Sequence, residues 1–413
     1  MSGTPFGPFV LKHFFRQYVE FLRRPEVARL MLLALISRMP VGMVAFSMLM
    51  FLREKLGAFS LAGSAVGIYF VAMAVCAPIQ GRVIDRVGPR GVLIVTGVVH
   101  PLAMLAVLLF AYYGFSFGYV AAASAVCGAF ATPIITLTRT LWRQRFDDEH
   151  DRRRAFALDA VMLELNFTLG PVICAAVLAS AGATWAFGLS IVVVVLAAAL
   201  FVVARATRHF KLEAHAERHL FGPLTERRLV LLFLASFGLT TCFGLLEVGY
   251  PAYATQMGVP AAAGLLLGMN ALGSATGGAV YGGLHLRMSY ERQFAAVLAL
   301  MAVPLFMHLL FEAFAAWIAL AYVTGLLIAP AIASQSVLVS RLAPSKYAAE
   351  AFTWSSTFIV AGLGTGMAVG GTLTELAGVR PAFATGGAIV CAMALLALLL
   401  RSPGTPRAAP AEA

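Results

Sequence analysis

The chain has 413 residues, 61% of them hydrophobic and 12% charged, with a mean hydropathy of +0.87. A soluble globular domain carries about 25% charged residues, so this composition excludes an ordinary water-soluble fold and belongs in lipid. The formal charge of +11 invites a nucleic-acid reading, which the placement of the charges answers below.

Residues 1–27 form a basic, aromatic segment that reads as an interfacial helix on the inner leaflet. A membrane-spanning helix needs about 20 apolar residues. The runs that qualify predict helices over 28–52, 61–80, 92–113, 118–138, 155–179 and 184–204. A polar linker follows at 205–227, then helices over 228–253, 260–284, 293–311, 315–342, 349–377 and 381–400. The tail, 401–413, is rich in Pro and Ala and reads as disordered. The runs are continuously apolar rather than alternating, which excludes a barrel and leaves an all-α polytopic protein. No cleavable leader is expected, because the first apolar run begins near Ala28 and is long enough to span.

Basic residues crowd alternate connections. The amino-terminal segment holds Lys12, Arg16, Arg23, Arg24 and Arg29, and the linker holds Arg205, Arg208, Lys211, Arg218, Arg227 and Arg228. The opposite connections hold only Arg53, Lys55 and Arg380. This asymmetry predicts both termini in the cytoplasm. It assigns the basic balance to topology, with no nucleic-acid partner expected. Cys76, Cys127, Cys174, Cys242 and Cys391 all fall inside apolar runs and read as small core residues. His209, His215 and His219 read as part of a solvated linker rather than a metal set.

The two halves repeat. Ala62-Gly63-x-x-x-Gly67 answers Ala263-Gly264-x-x-x-Gly268, and Gly128 and Pro133 answer Gly325 and Pro330. Ala155-Phe156 and Gly170 answer Ala351-Phe352 and Gly366. The matches run in order at nearly constant offset, which predicts two pseudo-symmetric six-helix bundles, 28–204 and 228–400.

Between the second and third runs lies Gly81-Arg82-Val83-Ile84-Asp85-Arg86-Val87-Gly88-Pro89-Arg90-Gly91. Four charges and three glycines among eleven residues predict a tight polar turn on the basic face, with Gly81 and Gly88 free to take φ > 0. The order Gly-x-x-x-Asp-Arg-x-Gly-x-Arg resembles the signature loop of the major facilitator superfamily of transporters. The resemblance implies alternating access, with the two bundles rocking about a central site. It also implies that Gly81, Asp85, Arg86, Gly88 and Arg90 act in the inner gate, Asp85 meeting the start of the eleventh helix around Ala349–Thr353. In the fifth helix, Asn166-Phe167-Thr168-Leu169-Gly170-Pro171 resembles the Gly-Pro element of proton-coupled drug antiporters, with Asn166 and Cys174-Ala175 where that pattern wants further glycines.

No paired nucleophile and base, no metal-ligand spacing and no G-x-x-x-x-G-K-[ST] phosphate loop occurs, so neither enzyme nor cofactor nor metal is expected. The informative residues are ionisable or polar groups inside the spans. Arg38 and Glu164 lie at similar depth in helices one and five, which the resemblance makes neighbours lining the cavity. Their pairing reads either as a substrate or proton site or as a static ion pair. Glu247 reads either as a protonatable carboxylate in the outward cavity or as a hydrated residue at its mouth. Asp159, nearer the inner end, reads as a partner of Arg152–Arg154. Asn166, Asn270, Gln335 and Glu375 are weaker candidates, Asn270 and Gln335 reading more readily as packing polars than as substrate ligands. The first functional expectation is a monomeric prokaryotic inner-membrane transporter that exports a small organic molecule against protons. The second is proton-coupled uptake of a small solute, anionic if Arg38 is its partner.

Overall fold

The computed structural model describes residues 23–134, 137, 138, 141, 149–204, 222–284, 286, 288–344 and 348–400. Among these residues the regular elements are all helical. They form α1 (Pro25–Leu56), α2 (Phe59–Val87), α3 (Pro89–Tyr112), α4 (Phe117–Ala129), α5 (Glu149–Ala181) and α6 (Ala183–Val203). After a short 3-10 turn at Gly222–Thr225 come α7 (Arg227–Gln256), α8 (Ala263–Gly283) and α9 (Tyr290–Met307). Last are α10 (Phe314–Leu342), α11 (Ala348–Leu376) and α12 (Val379–Leu398). Nine of these helices are long and apolar enough to cross a membrane, among them α1, α7 and α9.

The chain divides into two compact units. One comprises residues 1–56 and 76–215, the other 57–75 and 216–413, so α2 contributes a half to each. In the first unit α1 packs on α5 and α6, and α3 packs on α4 and α6. Gly42 is the reason α1 and α5 cross so closely: a Cβ there would strike the Asn166 carbonyl, and one on Gly170 would lie 2.6 Å from the Gly42 carbonyl carbon. Small residues at such crossings let backbones meet where lipid supplies no hydrophobic drive between helices. Ile84, Leu93, Leu137, Ala197 and Phe201 pack into a separate apolar cluster.

In the second unit α7 packs on α11 and α12, α9 on α12, and α8 on α10. The α7–α11 crossing is again a glycine contact, with the Cβ position of Gly366 only 2.9 Å from the Gly244 Cα. The first half of α2 lies on α11 in the same manner. A Cβ on Gly63 would fall 3.1 Å from the Gly371 Cα, and one on Gly67 would meet Gly364.

Five sequence expectations need correction, the first being that the fourth helix, expected over 118–138, stops at Ala129. The signature segment is not a turn throughout: α2 continues to Val87 and only Gly88 separates it from α3. Ile84 is held in the apolar cluster, so the helix persists through Gly81, and Gly88 alone takes positive φ, at 85°. Its N–H closes α2 on the Ile84 carbonyl at 2.8 Å, and Pro89 opens α3 with its fixed φ. The seventh helix, expected to end at 253, keeps Pro251 inside it and runs on to Gln256. Pro251 is tolerated there, although it has no N–H to offer the Glu247 carbonyl. The tenth helix is interrupted at Leu326–Leu327, where the backbone of Leu326 meets Gly277 of α8. The ninth ends at Met307 rather than 311, because the His308 ring caps it through Nδ1 on the Pro304 carbonyl at 2.7 Å.

Candidate functional site

Each unit carries its own buried polar group of residues. In the first, Ser37 and Arg38 on α1 and Asn166 on α5 are fully buried at 0% exposure. The Asn166 amide has no hydrogen-bond partner at either Oδ1 or Nδ2 among the described residues, nor has the Ser37 hydroxyl. The cause is local: the α5 backbone at Asn166 is pressed onto Gly42, and Gly170 one turn later onto the same residue, so the two helices meet without a gap. An interior amide left so costs roughly 1–3 kcal/mol. The side chains of Glu164, Asp159 and Asp85 lie outside the described residues, and with them the expected Arg38–Glu164 pair. Arg86 and Arg90 are exposed at the end of α2 and the start of α3. Gly170 and Pro171 are both buried within α5, which continues past the proline to Ala181.

The second unit holds Glu247, half-buried on α7, with no hydrogen bond or ion pair reaching its carboxylate among the described residues. One turn along the same face is Tyr250, fully buried, whose hydroxyl lies beside Thr324 without the geometry of a hydrogen bond. The Tyr250 ring stands 5.9 Å from that of His308, a residue with 0% exposure. Sequence reasoning missed both. The available signal was Pro304 followed four residues later by a histidine, a pairing that lets a ring nitrogen reach the proline carbonyl.

Asn270 and Gln335 are committed elsewhere. The Asn270 Nδ2 donates to the Ala321 carbonyl at 3.0 Å, tying α8 to α10 beside the glycine contact of Gly325. The Gln335 Nε2 donates to the Ser355 hydroxyl at 2.7 Å, tying α10 to α11. Glu375, at the end of α11, accepts the backbone N–H of Phe59, the first residue of α2, at 3.0 Å. A carboxylate is favoured at that positive helix end. No group of three or more metal-ligating side chains occurs among the described residues.

A family model described as Major Facilitator Superfamily matches residues 30–352, with a second match over 260–413. The chain belongs to the major facilitator superfamily. Its all-helical, twelve-helix fold is that of the superfamily's transporters. A mutant form of the nucleoside transporter NupG superposes with a TM-score of 0.71 at 11% identity, covering 90% of this chain and 100% of that one. A POT family transporter in complex with a thioalcohol-conjugated peptide superposes at 0.68 and 13% identity, covering 91% and 95%. At such identities the likeness is one of fold. A search of curated protein sequences returned no match. The superfamily membership makes the protein a multi-pass secondary transporter of a small molecule.

Proposed function

We propose that this superfamily member exports a small organic molecule across the inner membrane of a prokaryote in exchange for protons. In this reading the two bundles, 28–204 and 228–400, alternate access to a central site as a functional monomer. The observation that carries the reading is Glu247, an acidic residue within a spanning helix to which no cation or donor comes among the described residues. Ionisable groups are expensive in a span and are kept there for ion or substrate pathways. A carboxyl so placed can take and release a proton without disturbing a fixed partner. The Gly170-Pro171 element supports the outward direction, and the Asn166 amide, without a partner among the described residues, supplies both a donor and an acceptor for a solute. The gating role of Gly81, Asp85, Arg86, Gly88 and Arg90 belongs to the same proposal.

The test uses purified protein in sealed vesicles with an imposed inside-acid gradient, followed by a trapped pH dye during addition of a compound panel. Dissipation by a compound in the wild type, lost in Glu247→Gln or Glu164→Gln, is the expected result. The buried Arg38 favours a second reading, proton symport of an anionic solute. External alkalinisation on adding a solute to gradient-free vesicles would establish that reading instead. Transport of a compound with no accompanying pH change would overturn proton coupling.

A further inference from the structure

Tyr250 and His308 form a pair that packing alone leaves unexplained. Both are fully buried, and neither the Tyr250 hydroxyl nor the His308 Nε2 has a hydrogen-bond partner among the described residues. Two orphaned polar atoms on adjacent rings ask for a reason, since buried polar groups are otherwise satisfied. The rings are held tightly. His308 stacks on Phe383 at 4.4 Å and meets Trp317 edge-on at 4.8 Å, while Tyr250 meets Phe383 at 5.3 Å.

The chemistry of His308 is fixed by its other nitrogen. Nδ1 lies 2.7 Å from the Pro304 carbonyl, which only accepts, so Nδ1 carries the hydrogen. In the neutral ring Nε2 is therefore a bare lone pair. Tyr250 comes next, and Glu247 lies three residues earlier on α7, about 4.5 Å along the axis at ~1.5 Å per residue. Thr324, whose hydroxyl donates to the Leu320 carbonyl at 2.8 Å, turns its oxygen to the same region from α10. His308 follows the last residue of α9, at the face that the charge asymmetry assigns as outer.

We infer that His308 and Tyr250 conduct protons from the outer face to Glu247. A proton arriving at Nε2 makes an imidazolium whose Nδ1–H stays on Pro304. The two rings stand 5.9 Å apart with no hydrogen bond between them at rest, so each transfer needs a side-chain movement or a bridging water. Through it the imidazolium passes the Nε2 proton to the Tyr250 oxygen as the Tyr250 hydroxyl proton moves on to the Glu247 carboxylate. One proton enters, one is delivered, and both relay residues regain their starting form. The other ionisable groups near this line are Cys242 on α7 and, one turn outward around Tyr253, the Arg380–Glu312 pair at the rim. The ionisable residues of α11, Glu350 and Glu375, sit in its first turn and at its far end.

The inference rests on Glu247 being the coupling carboxyl, and the experiment separates the two. Purified protein in sealed lipid vesicles is subjected to an external acid jump. The protonated-carboxyl infrared band of Glu247, identified by its loss in Glu247→Gln, is then followed in time. The probe is the proton itself, so no substrate is needed. Tyr250→Phe removes only the hydroxyl, and His308→Asn keeps a donor for the Pro304 carbonyl while removing Nε2. Expected is a slowing on the order of 100-fold in either variant, with the equilibrium titration of the band unchanged, which a merely structural role would not produce. Wild-type kinetics in the Tyr250→Phe protein overturn the relay and leave Glu247 as the coupling site. A wild-type protein whose Glu247 never protonates overturns the coupling assignment, and the relay with it.

Discussion

Asn166 states the tension at the residue scale most clearly. Its amide is interior and has no partner among the described residues, so it lowers stability, while in the function proposed above it offers hydrogen bonds to a solute. Asn166→Leu is expected to raise or preserve the thermal midpoint of the purified protein while reducing transport. A fall in the midpoint by several degrees would instead make Asn166 a packing residue. Gly42→Ala acts oppositely, because the added methyl meets the Asn166 carbonyl, a rigid backbone atom. A loss of about 1–3 kcal/mol is expected, as for other overpacked interiors, read as a lower unfolding midpoint in detergent. At the rim the Arg380–Glu312 bond of 2.9 Å joins side chains that are 47% and 86% exposed. Arg380→Ala should therefore change stability by less than about 1 kcal/mol. Tyr253→Phe should cost more, since its hydroxyl donates to the Glu312 carbonyl at 2.7 Å from a buried ring stacked 3.6 Å from Trp317.

At the scale of elements, Asn270 is the informative case. It ties α8 to α10 where α10 is interrupted, and interhelical bonds of this kind contribute about 0.6–1.7 kcal/mol. Asn270→Ala should lower the unfolding midpoint without altering the direction of transport, and altered proton coupling would return it to the solute pathway. Helix number and approximate span could be read from the sequence because lipid demands long apolar runs whatever the tertiary detail. The limits of individual helices were less legible. Pro251 lies near the expected end of α7, yet the helix continues past it because neighbouring helices tolerate one missing hydrogen bond. The break in α10 depends on glycines of α8 some fifty positions earlier, which no local pattern contains. The site was legible only as a set of expensive residues. Glu247 stood out by its charge in a greasy run, whereas Tyr250 and His308 became notable only once their neighbours were known.

On the whole-molecule scale, alternating charge along the chain predicts that both termini share the cytoplasmic side. A fluorescent-protein fusion at either end should glow, and an alkaline phosphatase fusion at either end should stay silent; an active phosphatase would reverse the topology. The helices also differ greatly in length. α5 has 33 residues and α1 has 32, whereas α9 has 18. At ~1.5 Å per residue these are about 50, 48 and 27 Å, set against a hydrocarbon core of about 30 Å. The long helices meet a thicker bilayer by standing more upright, an adjustment α9 has no length to make. Lipids with longer acyl chains should therefore load the end of α9 first, drawing His308 towards the hydrocarbon and away from water. On the proton path inferred above, acyl-chain length then becomes a means of tuning proton arrival without touching the protein, and the carrier should work best in thin membranes.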